Sequence, residues 1–211
     1  MRFLILALLT LTYPLLAAPS EPVSLEHGTA PTKRHDVVLA ADKDTPSFER
    51  YALKGDDSQF PRFLIRELPS GKMVGSLKWP GDSSGDNQPL RNHTRILWHP
   101  NGTAVAINTN ERYYSHTNIL ALDPKTGKFI ELRFPDYKTL TGYPKPKSDD
   151  LRPRGHGIAL RWTEKGFLLY EMSSTPGVSY KGTDPLHHRI ALRVTPQGME
   201  VVDREALPTT E

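Results

Sequence analysis

The chain has 211 residues, with 27 Lys and Arg against 24 Asp and Glu for a formal net charge of +3, and no cysteine. That length suits one domain or a short repeat array with a real core. The missing cysteines exclude disulfide staples, thiolate catalysis, cysteine metal sites and a lipid-bearing cysteine. Near-balanced charge with no basic stripe excludes counterion-driven nucleic-acid binding.

The N-terminus MRFLILALLTLTYPLLAAPS carries one Arg, an apolar run from Phe3 to Leu16, then Ala17 and Ala18. Charge, greasy segment and small residues in that order are those of a secretory signal. The run falls short of the ~20 residues that span a bilayer, and Pro14 interrupts it. Residues 1–18 are expected to be a signal peptide, which leaves a periplasmic or secreted protein with no membrane span after cleavage. Residues 19–35, rich in Pro, Ser, Thr and charge without an apolar period, read as a flexible leader. The fold is expected to cover 36–205, with 206–211 as a tail.

From Asp36 on, apolar runs of four to seven residues rich in Val, Ile, Leu, Phe and Tyr alternate with Gly, Pro, Asn and Asp, the pattern of strands and hairpins. The runs fall into units of four strands joined tight turn, long loop, tight turn. The first and most degenerate runs DVVLAA, FERYAL, RFLIREL, KMVGSL between 36 and 77. The second runs TRILW, TAVAIN, TNILALD, KFIELRF, and the third GIALRWT, FLLYEM, RIALRV, MEVVD. Matching order of short and long connections across whole units argues for a repeat rather than for unrelated hairpins. The expected fold is all-β: three four-stranded antiparallel meanders in an open or partial propeller-like array.

Trp98-His99-Pro100-Asn101-Gly102 followed by the strand from Thr103 to Ile107 resembles the W-S-P-D-G signature of WD40-like repeats in periplasmic β-propellers of the Tol-system type. In the third unit, Trp162 to Gly166 keeps the Trp and the Gly. The chain is also similar to small secreted bacterial β-repeat proteins. The resemblance implies blade-like units. Three blades fall short of the ~4 to 8 of a closed ring, so it also implies a second copy, an open array or a differently curled sheet.

In such meanders the tight turns share one edge and the long connections the other. The long-loop edge gathers Arg91 and His93, Tyr113, His116, Arg154 and His156, Tyr180 and His188. These eight are the candidate ligand- or partner-binding residues, for an unknown protein, peptide or glycan. Recurrence of His before a first strand also fits a structural tie, and both readings stay open. Metal binding would draw on Asp149, Asp150 or Asp184, but no recognised zinc spacing is present, and no metal, cofactor or catalytic residue is assigned.

Gly81-Asp82-Ser83-Ser84-Gly85 matches G-x-S-x-G and resembles the Gly-Asp-Ser block of SGNH hydrolases, with Asp184 and His187 at the D-x-x-H spacing. In that alternative Ser83 attacks, His187 takes its proton and Asp184 orients the ring. A nucleophile elbow needs a strand before it and a helix after, and here a polar loop follows. The principal expectation is an exported binding domain without catalytic activity. The alternatives are a serine hydrolase using Ser83, Asp184 and His187, and a structural subunit completing a propeller by homo-oligomerisation.

Overall fold

The computed structural model describes residues 22–40, 62–78, 94–110, 114–147 and 151–208. The expected signal segment, the expected strand at 48–53 and the Ser83 loop lie outside them. The described chain is all-β with one short helix. A four-stranded antiparallel sheet holds β1 (Val23–Thr29), β2 (His35–Ala40), β3 (Arg62–Glu67) and β4 (Met73–Lys78) in sequence order.

The remaining strands form a second sheet of eight. In it β5 (Thr94–Trp98), β6 (Ala104–Asn110), β7 (Tyr114–Asp123) and β8 (Lys128–Leu132) pair antiparallel in sequence order. So do β9 (Leu151–Trp162), β10 (Leu168–Pro176), β11 (His187–Thr195) and β12 (Gly198–Ala206). A short parallel contact, Tyr114 with Gly155 and Ser115 with His156, joins β7 to β9. Helix α1 (Tyr137–Thr141) lies in the β8–β9 connection, where the Asp136 carboxylate accepts the Thr139 N–H as its N-cap.

The flexible leader expected over 19–35 is corrected by β1, and the fold begins one strand earlier than Asp36. DVVLAA is therefore the second strand of its sheet. The turn into it has the geometry of the two Trp-led turns. The N–H of Lys33 donates to the Ala30 carbonyl (2.8 Å), as Gly102 does to His99 (2.8 Å) and Gly166 to Thr163 (2.9 Å). All three donors have positive φ, 56°, 73° and 77°. Glycine holds that conformation without steric cost, whereas lysine does not. The first turn escaped recognition because it has Thr29 for the Trp and Lys33 for the Gly. At the other end the chain stays tied past 205: Leu207 N–H donates to the His187 carbonyl (2.8 Å).

Strand alternation builds the core in two parts, one on each face of β5–β8. Val37, Leu39, Phe63 and Ile65 of the first sheet pack against Trp98, Val105, Ile107, Leu120 and Phe129. On the opposite face Ala104, Ala106, Ile119 and Ala121 meet Ala159, Leu168, Tyr170, Ile190 and Leu192. Buried on both faces, β6 is inaccessible from Ala104 to Thr109.

Each Trp ties its own first strand to an earlier strand. The Trp98 indole N–H donates to the Gly28 carbonyl of β1 (2.7 Å), and that of Trp162 to the Leu97 carbonyl of β5 (3.0 Å). The turns stack in step. A Cβ on Gly102 would lie 2.6 Å from the Thr32 hydroxyl, and one on Gly166 would lie 2.8 Å from Nε2 of His99. The two Trp differ in depth, Trp98 being buried and Trp162 half-buried.

Candidate functional site

Antiparallel pairing in sequence order puts the turns at 30–34, 68–72, 99–103, 124–127, 163–167 and 196–197 at one end of the strands. Three of these turns stack, Gly102 against Thr32 and Gly166 against His99, whereas Gly71, Gly127 and Gly198 have open space around them. The described connections after β8 and β10 lie at the opposite end, and with them α1 and residues 177–186. It is the end expected to carry the site.

Of the expected residues there, Arg91, His93 and Tyr113 lie outside the described residues, and Arg154 is located only as a position in β9. His116 on β7 and His156 on β9 are both exposed. Nδ1 of His156 lies 3.1 Å from the Ser115 hydroxyl. Because Ser115 and His116 alternate along the strand, the two imidazoles leave the sheet on opposite faces.

Cross-strand partners share a face, so Ser115, His156, Ser173 and His187 form one row across β7, β9, β10 and β11. Beside that row the outer face of β9–β12 carries paired charges. Arg189 reaches Glu171 (3.2 Å) and Glu205 (3.7 Å), and Arg193 reaches Glu200 (2.7 Å). This face is a solvated ladder of opposite charges, each pair adding little stability.

His188 is corrected from partner-contacting surface to structural tie. It is 1% exposed and faces inward beside Met172. Its Nε2 lies 2.7 Å from Oδ1 of Asp184, a carboxylate that is itself buried. A carboxylate only accepts, so Nε2 carries the proton. Asp184 Oδ1 also accepts the Leu186 N–H (2.8 Å), and Oδ2 accepts the Tyr137 hydroxyl (2.6 Å). Burial first, and the bond to Asp184 second, hold the Tyr137 phenol well above its ordinary pKa and keep it a donor. The Tyr180 hydroxyl donates to the Asp184 backbone carbonyl (2.9 Å), and Tyr143 packs beside the His188 ring. Leu186, buried with φ at 59°, is held in the left-handed region by this network.

The same geometry separates the residues of the hydrolase alternative. Asp184 engages His188, four residues on, while His187 turns to the other face. There its Nε2 lies 3.2 Å from Glu171 and its Nδ1 3.4 Å from the Pro208 carbonyl. The expected orienting bond from Asp184 to His187 is not made, because adjacent strand residues point oppositely. Among the described residues no group of three His, Asp or Glu is arranged to hold a metal.

Sequence reasoning missed Tyr137, which comes from a connection read only as loop. The Asp-x-x-Thr spacing at 136 to 139 was the available sign of a helix start that would bring Tyr137 inward. No protein-family model matches this chain, and no curated protein matches it.

Proposed function

We propose that this chain is an exported, non-catalytic β-repeat binding domain of three WD40-like, four-stranded units, with its partner surface at the long-connection end. The difference between the two ends carries the reading. At the turn end the connections are short and three of them stack on one another, whereas the opposite end carries exposed His116 on β7, exposed His156 on β9 and the 177–183 segment, the last beside a framework of Asp184, His188, Tyr137 and Tyr180. Sites concentrate on loops held by a rigid scaffold. Three recurring turns and two Trp ties support the repeat. Export rests on the N-terminal residues, and no helix among the described residues is long and apolar enough to cross a membrane. The partner class is a protein, peptide or glycan.

Photo-crosslinking in the producing cell tests this. A crosslinking residue in place of His116, His156 or Lys181 is expected to give discrete adducts, and one in place of Asn101 or Lys125 at the turn end none. Adducts from the turn end alone, or mature protein retaining Met1 inside the cell, would overturn the reading.

A further inference from the structure

β7 is shared by two neighbours on one side. Its pairing with β8 covers Ile119 to Asp123, and its pairing with β9 covers Tyr114 and Ser115. Between them, at residues 116–118, the sheet forks. The chain leaves β8 through Arg133 and Phe134 while β9 enters from the other side. A groove of about 380 Å³ opens in this fork, lined by Thr117, Asn118, Glu131, Leu132, Arg133 and Phe134. That volume falls within the ~300–1,000 Å³ of small-molecule sites.

The lining states what would fit. Glu131 and Arg133 place one carboxylate and one guanidinium on the same groove, so neither an anion nor a cation is favoured. Both hydrogen-bond roles are offered, since the guanidinium only donates and the carboxylate only accepts. Asn118 Nδ2 donates to Glu131 Oε1 (2.9 Å), which holds that carboxylate at the groove wall. Phe134 supplies an aromatic wall, itself backed by the Tyr170 ring at 4.8 Å between centroids. A ring so supported is a rigid platform for the C–H face of a flat, amphipathic ligand.

A neutral group with many hydroxyls, each both donor and acceptor, and one apolar C–H face meets all of these conditions. We propose that the fork groove binds a neutral pyranose ring, as part of a short oligosaccharide. This rests on the reading of the chain as a binding domain and narrows its ligand class at one site.

Titration of the isotope-labelled full chain with cellobiose, maltose and diacetylchitobiose, followed by amide shifts, tests it. At least one disaccharide is expected to shift the amides of Asn118, Leu132 and Arg133 saturably below about 20 mM, in the weak range typical of such contacts. Phe134→Ala is expected to weaken binding about tenfold through loss of the platform. Because Phe134 also packs on the core, Arg133→Ala and Glu131→Gln serve as exposed variants, each weakening binding severalfold with the spectrum otherwise unchanged.

No saturable shift from any of the three sugars overturns the proposal. So do shifts that all three variants leave unchanged, or the same shifts produced by triglycine amide, which would make the groove a peptide site. The crosslinking experiment fails separately. Adducts without sugar shifts sink the groove alone, and sugar shifts without adducts sink the macromolecular surface while keeping the groove.

Discussion

Toward the first sheet, the β5–β8 layer presents Trp98, Val105, Ile107, Leu120 and Phe129; toward β9–β12 it presents Ala104, Ala106, Ile119 and Ala121. Large side chains fill the first interface, where His35 adds a ring 5.0 Å from Phe129 and 6.4 Å from Trp98. At the second, three alanines beside Ile119 leave less side-chain bulk on this layer, and the buried backbone there needs hydrogen-bond partners. Asn108 supplies them. Its Nδ2 donates to the Ala159 carbonyl (2.6 Å) and its Oδ1 accepts the Ala159 N–H (3.0 Å), so the amide stands in for a peptide group beyond the short β7–β9 pairing. Thr117 donates to the same Oδ1 (2.7 Å). One interface is filled by large side chains from both layers, and the other combines apolar packing, mostly from β9–β12, with this hydrogen-bonded seam.

The largest effect expected from this contrast is at Trp98. Trp98→Ala should cost about 3–5 kcal/mol of stability in denaturant melts, and half-buried Trp162→Ala distinctly less. Equal losses would show that volume matters alike on both sides.

Next comes the stitch. Asn108→Ala leaves the buried Ala159 N–H and carbonyl without that partner and should cost about 1–3 kcal/mol. Thr117→Ala should be strongly non-additive with it in a double-mutant cycle. Additive losses would mean the two act independently and break the picture of one stitched seam.

The first interface should also respond to acid. Burial, the largest influence, lowers the His35 pKa below 6.5, with Arg34 acting in the same direction and Glu67 and Asp36 opposing. Its buried Nδ1 has no hydrogen-bond partner. The folded state therefore favours the neutral ring. Its contribution is fully present above the unfolded value near 6.5 and is lost as pH falls below that toward the folded value. A stability–pH profile of His35→Phe should lose this acid-side slope, and an unchanged slope would place its origin elsewhere.

The smallest effect is at the first turn. Lys33 holds the left-handed conformation that Gly102 and Gly166 hold freely. Lys33→Gly should therefore stabilise by no more than about 1 kcal/mol, since relief of backbone strain is partly offset by greater freedom in the unfolded chain. Gly102→Ala should destabilise, having both the positive φ and the Thr32 contact against it. A destabilising Lys33→Gly would sever the equivalence of the three turns.

Local chemistry sufficed for much of the reading. The strands of β5–β8 and β9–β12 and the tight turns within them were legible, because a half-buried strand and a Gly-bearing turn write themselves in adjacent letters. The long loop expected between the second and third strands of the second unit was not, since β6 runs to Asn110 and β7 begins at Tyr114. β1 was not, since its turn keeps the backbone shape while Thr29 and Lys33 replace the residues that signal it. The site was legible only as an end of the molecule. Sequence placed Asp184, His187 and His188 together, but which His meets Asp184 depends on the face each strand residue takes, and that is set by the core on which β11 packs. The fork groove was invisible for the same reason. Thr117 and Asn118 meet Glu131 to Phe134 only because β7 changes neighbours midway, a pairing made by tertiary contact with no local signal in either segment.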